Sequence, residues 1–145
     1  MRTPITFFVQ GEPKGQPRAR ACIRGKHAGV YDPGTANAWK HAVADAWRQW
    51  RAEPFTGPVH LGLDFIFKRP LSHYRTGKNA GLLRDSAPLA HTGKPDCDNL
   101  AKAVMDELTR LGAWEDDRLV CRLAVSRQWA PERGGCVILI SEHTA

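Results

Sequence analysis

The sequence predicts an α+β fold, a single domain over residues 1–145 with a mixed β-sheet and two helices in the order β-α-β-α-β-β. Three observations lead to this prediction. A chain of 145 residues fits one compact domain, because chains divide into several only well beyond this length. Hydrophobic residues at 42% and charged residues at 25% are globular proportions, which exclude wholesale disorder, fibre repeats and a coiled coil. Apolar residues also recur with strand or helix periodicity in separate segments along the chain.

The strands are predicted from apolar side chains at every second position. Residues 4–10 and 59–67 both show this alternation, most clearly in the second segment. Residues 118–129 and 136–142 have strand-like patterns as well. Because the segment 130–135 between them contains proline and glycine, we expect these last two strands to form an antiparallel hairpin.

Helical spacing of apolar side chains predicts the two helices. The first covers about residues 36–52, with Thr35 as its N-cap. The second covers residues 99–111, with Asp98 at the N-cap position and Gly112 as the residue that ends the helix.

Two segments lack regular periodicity and are basic. Residues 11–33 contain several glycines and prolines, which predict a loop or an irregular hairpin. Residues 71–94 are rich in Gly, Ser, His, Lys and Arg. A loop of this length inside a small domain is usually functional or disordered, so its role is left open.

The chain has no feature of a membrane or exported protein. No apolar run approaches the ~18–20 residues of a membrane span, and no signal-type segment opens the sequence. The cysteines show no CxxC or Cys/His metal-ligand spacing, so we expect reduced thiols in a cytosolic protein with no membrane partner. These residues are Cys22, Cys97, Cys121 and Cys136.

The charges are unevenly distributed along the chain. Residues 1–94 hold 15 basic and 6 acidic side chains, whereas residues 95–145 hold 6 basic and 9 acidic ones. A basic body with one acidic region suits a polyanionic ligand together with a local need for carboxylates. Basic side chains near the first loop and before the acidic region are candidates for phosphate contacts that position DNA without reading its sequence. They are Lys14, Arg18, Arg20, Arg24, Lys26 and Lys94.

The richest candidate site begins at Asp96. In an extended segment, Asp96 and Asp98 project to the same side because they are two residues apart. Lys102 follows Asp98 by one helical turn, and both lie opposite the apolar edge of the predicted helix. A further acidic pair, Asp116 and Asp117, precedes the next strand. Such carboxylates suit a hard cation such as Mg²⁺, which prefers oxygen ligands and can ready a water for attack on a phosphate.

Ordinary structural roles for the same residues stay open from spacing alone. In that interpretation, Asp98 is simply a helix cap, and Asp96 is simply placed in the positive field of the helix dipole. Lys102 then does no more than pair with Asp98 and Asp106, and the Asp116–Asp117 pair is a turn before a strand.

The order and spacing of these residues resemble the RusA family of Holliday junction resolvases. The likeness centres on residues 94–108, with the pattern DxDN-x2-K-x3-D, and on Trp114-Glu115-Asp116-Asp117 behind it. It also covers the opening strand with residues 11–20 and the expected closing hairpin, so it spans most of the chain. The resemblance implies a homodimeric, Mg²⁺-dependent endonuclease that nicks four-way DNA junctions symmetrically in a bacterial or phage-infected cell. It implies no small-molecule cofactor, and Mn²⁺ is expected to be able to replace Mg²⁺.

The resemblance also implies roles for individual residues. It assigns metal binding to Asp96, Asp98 and Asp117, and it assigns the catalytic lysine to Lys102. Asp116 would share the role of its neighbour, while Asp106 matches a position that is less clearly catalytic. The chain departs from the family pattern at Cys97, where an apolar residue is usual, and in the long basic insert of residues 71–94. The insert leaves substrate preference open, although not the chemistry. Two alternatives stay open: another metal-dependent nuclease on branched DNA or RNA with the same carboxylates, and a non-catalytic DNA-binding module held by the basic loop alone.

Overall fold

A mixed four-stranded sheet and two helices account for most of the regular structure. The computed structural model describes residues 2–144, apart from the side chains of Arg20, Arg24 and Tyr31. In chain order the elements are β1 (Ile5–Gln10), β2 (Arg20–Arg24), β3 (His27–Tyr31), α1 (Asn37–Arg48), β4 (Val59–Lys68), α2 (Cys97–Arg110), β5 (Val120–Ala130) and β6 (Gly135–Glu142).

The α+β fold class predicted from the sequence is confirmed. The main sheet has the order β1-β6-β4-β5, in which β6 is antiparallel to both neighbours and β5 runs parallel to β4. Strands β2 and β3 form a second, two-stranded sheet. The irregular hairpin expected within residues 11–33 is therefore present, and it turns at Gly25, whose positive φ of 61° suits a tight turn.

The predicted hairpin between the last two strands is wrong, because β4 lies between them. Burial explains this order. Strand β6 is mostly buried and belongs inside the sheet, whereas β5 is largely exposed or half-buried and forms an edge. Crossing one intervening strand requires about 10 Å, since neighbouring strands lie about 4.8 Å apart, and residues 131–134 can span that distance.

The core lies between the helices and one face of the sheet. Strand β4 alternates as predicted, and Leu61, Leu63 and Phe65 are fully buried on one face. Helix α2 adds a buried edge of Leu100, Val104 and Leu108. Three tryptophans complete the buried aromatic part of this core, namely Trp39, Trp47 and Trp114.

Both helix N-caps differ from the sequence predictions. Helix α1 is capped by Ala36, without a side-chain hydrogen bond, and not by Thr35. Helix α2 is capped by Asp96, because the Asp96 carbonyl already accepts from the Leu100 amide at 3.1 Å. Asp98 therefore lies within the first helical turn. The predicted stop at Gly112 is confirmed by its φ of 80°.

All four cysteines are free thiols. Among the residues that the structure describes, no helix has the length and apolar character needed to cross a bilayer.

Gly135 permits the close pairing of β1 and β6. A Cβ atom at this position would collide with the Phe8 ring and with the backbone carbonyl of Val9. We expect Gly135→Ala to destabilise the fold by about 1–3 kcal/mol, because the β1 backbone cannot move without breaking the sheet. Urea unfolding measures this change. Gly57→Ala is the matched control, since nothing lies within 4 Å of its added Cβ, and equal stability of the two variants would contradict the prediction.

Candidate functional site

The ends of four strands lie side by side at one end of the main sheet. Gln10 ends β1 opposite Gly135, which begins β6, and Lys68 ends β4 opposite Ala130, which ends β5. Backbone hydrogen bonds lock these ends together, from the Gly11 amide to Gly134 at 3.3 Å and from the Arg69 amide to Ala130 at 2.9 Å. The topology thus brings several loops together at this end of the sheet.

A cleft of about 1370 Å³ lies at this end of the sheet. The loop after β1, the end of β4, the segment before α2 and the turn before β6 all contribute to its lining. The lining is strongly cationic, with Asp96 and Glu12 as its acidic members. Its basic side chains are Lys14, Arg18, Lys68, Arg69, Lys94 and Arg133.

The loop after β1 is fastened to the start of α2. The Gln16 amide donates to the Asn99 carbonyl at 3.0 Å. Gly15 lies so close that a Cβ would approach those of Asn99 and Pro95 at 3.1 and 3.2 Å. This contact brings the basic loop beside Asp96, and it depends on glycine because a side chain would push the loop away.

Arg127 ties the segment before Asp96 to strand β5. Its guanidinium donates to the backbone carbonyls of Gly93 and Pro95, the latter at 3.0 Å, and it contacts His91 Nδ1 at 3.1 Å. Arginine has no acceptor atom, so Nδ1 must accept this hydrogen bond. His91 is therefore neutral in this arrangement, with its proton on Nε2.

His91 is buried between aromatic side chains. Its ring stacks on Phe67 with centroids 4.1 Å apart and lies 4.5 Å from the Trp129 ring. Burial, and then the nearby charge of Arg127, lower the pKa of His91 below its ordinary value of 6.5. The cleft thus has an aromatic floor at the point where the 90–95 segment meets the sheet.

This lowered pKa predicts a pH dependence of stability. Below pH 6.5 the unfolded chain binds a proton at His91 that the folded chain does not, so the free energy of unfolding falls as the pH decreases toward the folded pKa. We expect His91→Gln, which retains an acceptor atom, to lose this component. Urea unfolding at several pH values between 5 and 7.5 measures the difference. The same slope in wild type and variant would contradict the prediction.

Asp98 and Lys102 lie on the solvent side of α2, as the sequence predicted, whereas Glu107 of the same helix is buried. Asp98 and Lys102 are exposed, opposite the buried leucine edge. Lys102 Nζ lies 3.7 Å from Asp106 Oδ2. An exposed pair of this kind contributes little to stability, so Lys102 can exchange Asp106 for another anion.

The second acidic pair lies at the start of a short 3₁₀ helix, Asp117–Leu119, which contacts α2. Asp116 caps this turn, and its Oδ1 accepts from the Arg118 amide at 2.8 Å. The Asp117 side chain is exposed. Asp116 therefore has the structural role in a turn that the sequence left open for this pair.

The predicted metal ligands are not assembled into a ready-made site. Within residues 2–144, no three His, Cys, Asp or Glu side chains are grouped closely enough to hold a metal ion. Their chemistry nevertheless fits Mg²⁺, which takes oxygen ligands and commonly uses one or two carboxylates, with waters and substrate phosphates completing its shell. Of the three predicted ligands Asp96, Asp98 and Asp117, Asp96 lines the cleft.

The predicted DNA-binding residues divide into three groups. Lys14, Arg18 and Lys94 line the cleft. Lys26 lies in the exposed turn of the β2–β3 hairpin, outside the lining. The side chains of Arg20 and Arg24 lie outside the described part of the chain.

Sequence reasoning missed three basic residues of the cleft, Lys68, Arg69 and Arg133. The first two were visible only as the end of a strand, and the third only as part of a turn. Predicting that they share a site requires the strand order, because β4 and β6 are neighbours through tertiary pairing alone.

A comparison with protein-family models found a match to the family described as Endodeoxyribonuclease RusA over residues 10–141. The match covers nearly the whole chain, including the cleft, α2 and the 3₁₀ turn, and it confirms the resemblance inferred from the DxDN-x2-K-x3-D pattern. A search of curated proteins found no match.

Proposed function

Because the chain belongs to the RusA endodeoxyribonuclease family, we propose that it resolves four-way DNA junctions by paired, symmetric, Mg²⁺-dependent nicks. The family match over residues 10–141 carries this proposal. The cationic cleft beside Asp96 supports it, because a phosphate backbone needs positive charge along its path and carboxylates where a metal assists hydrolysis.

In this proposal, Asp96, Asp98 and Asp117 hold the metal through their carboxylate oxygens. When bound, Mg²⁺ readies a water for attack and offsets charge on the phosphate. Asp96 is the N-cap of α2 and Asp98 lies in its first turn, so the start of one helix sets the spacing of two of the ligands. Asp117 belongs to the 3₁₀ turn that contacts this helix.

Lys102 has a separate task in the proposal. It lies one helical turn beyond Asp98, on the same exposed side of α2. Its ammonium group would leave Asp106 and stabilise the negative charge that develops on the scissile phosphate. Asp106 would hold Lys102 in the region of the site before DNA arrives.

Paired nicks require two active sites related by symmetry. A four-way junction has approximate two-fold symmetry, so a two-fold homodimer would place one site at each of two opposed strands. We therefore propose that the chain acts as a homodimer on junction DNA.

A gel assay tests the proposed function. The purified protein is incubated with a mobile four-way junction, a matched linear duplex and a flap, each with Mg²⁺, with Mn²⁺ and with chelator. Symmetric nicks in the junction alone, lost with chelator, are expected. Equal cutting of all three substrates would replace the proposal with a general nuclease, and junction binding without cutting under either metal would replace it with a binding module.

A further inference from the structure

We infer that Lys68, at the end of β4, and Arg133, in the turn before β6, add a second set of phosphate contacts to those of the basic loop after β1. This inference rests on the proposed action on DNA and specifies the path of the DNA backbone. It concerns residues whose proximity follows from strand pairing and not from any motif.

Tertiary pairing brings the two residues together. Ile66, two residues before Lys68, pairs with Gly135, two residues after Arg133. The Gly134 position is tightly enclosed, since a Cβ there would lie 2.9 Å from the Gly11 carbonyl oxygen and 3.0 Å from that of Ile66. The turn that carries Arg133 is therefore held firmly against the ends of β1 and β4.

The two side chains are available to an anion. Both are exposed, and among residues 2–144 neither takes part in an ion pair. Arg133 lies over the Phe8 ring at 4.9 Å, an arrangement that orients the guanidinium while leaving its N–H groups free. Arg69 is different, because it already donates to the Pro88 carbonyl at 2.8 Å.

The charge of the cleft favours a phosphate backbone as the occupant. Its lining holds six cationic and two acidic side chains, supplied by four separate segments. Lys14 is partly neutralised by Glu12 at 3.3 Å, so Lys68, Arg133, Arg18 and Lys94 carry most of the available positive charge. Cations from four segments of one lining suit a charged strand that passes along the cleft, and Asp96 belongs to the same lining.

The test is the salt dependence of junction binding, measured with chelator so that no cutting occurs. We expect Lys68→Ala and Arg133→Ala each to weaken binding about fivefold near physiological salt and to reduce the slope of log affinity against log salt by about 0.7–0.9. Arg133→Lys, which keeps the charge, should restore most of the slope. Arg48→Ala, an exposed arginine at the far end of α1 and outside the cleft, is the matched control.

The outcomes separate this inference from the proposed function. If wild type cuts junctions but both alanine variants keep the affinity and slope of Arg48→Ala, the inferred path is wrong and the nuclease assignment stands. If wild type neither binds nor cuts junctions, the proposed function fails and the inference fails with it. Thermal unfolding of each variant confirms that the fold is intact, as expected for exposed side chains.

Discussion

Replacing Asp96 by asparagine is expected to abolish DNA cleavage while junction binding persists or becomes tighter. The change removes a proposed metal ligand but preserves the shape of the side chain. Because altering residues that only support metal ligands commonly costs about 10–100-fold, loss of a ligand should exceed about 100-fold in the rate of cleavage. Removing a negative charge from a cationic cleft also reduces repulsion of the DNA backbone.

Single-turnover cleavage and chelator-inhibited binding measure the two effects separately. Asp117→Asn should behave in the same way, although Asp117 lies on a different element. Asp45→Asn is the control, since Asp45 is an exposed carboxylate on α1, outside the cleft. Normal cleavage by both Asp96→Asn and Asp117→Asn would show that the proposed metal site is wrong. Weakened binding by Asp96→Asn would instead indicate that this residue supports the loop.

Replacing Arg127 by alanine is the second change with a large expected effect. The substitution removes the donor that serves the Gly93 and Pro95 carbonyls and His91 Nδ1. Hydrogen bonds from a charged group contribute about 1.5–3 kcal/mol each in favourable cases, and a partly exposed group gives less. We therefore expect the free energy of unfolding to fall by about 2–3 kcal/mol.

The same variant should lose activity beyond its loss of stability. Asp96 directly follows the segment that Arg127 holds, and small displacements of a reacting group can cost about 100-fold in rate. We expect the cleavage rate to fall by about 10–100-fold at a temperature where the variant is fully folded. Arg127→Lys should recover part of the stability but less of the activity, since one ammonium group cannot reproduce the planar fork of arginine.

Arg122→Ala is the matched control for Arg127→Ala, because it removes an exposed arginine from the same strand. Urea unfolding and single-turnover cleavage, measured on all three variants, separate stability from positioning. Full activity of folded Arg127→Ala would show that Asp96 keeps its position without this support.

The local parts of the fold were predictable because they depend on near neighbours in the chain. The alternation in β4 and the leucine edge of α2 follow from the need to bury one face, and both are confirmed. The helix N-caps were less predictable. Thr35 and Asp98 have suitable side chains, yet the caps fall at Ala36 and Asp96. The reason is that the backbone dihedral angles, which depend on how the chain enters each helix, decide where the helix begins.

The strand order was not predictable from local pattern. Short separation in sequence favours a hairpin between β5 and β6, and the structure instead places β4 between them. The reason is burial, since β6 has a nearly continuous apolar run suited to the centre of the sheet, whereas arginines, a serine and a glutamine interrupt the apolar residues of β5 and suit an edge strand. The short β2–β3 sheet also appeared only as an irregular hairpin in the sequence pattern.

The α+β class followed from periodic apolar residues along the chain, and the family and the candidate residues from Asp96 to Lys102 followed from a motif at the start of one helix, so all of them were readable without the fold. The set of distant residues that share the cleft became known from the folded chain. Lys14, Lys68 and Arg133 come together because the ends of β1 and β4 and the start of β6 lie at one end of the sheet, and Lys94 joins them because Arg127 of β5 holds its segment. Strand pairing is a long-range choice set by total burial, so it cannot be derived from any one segment.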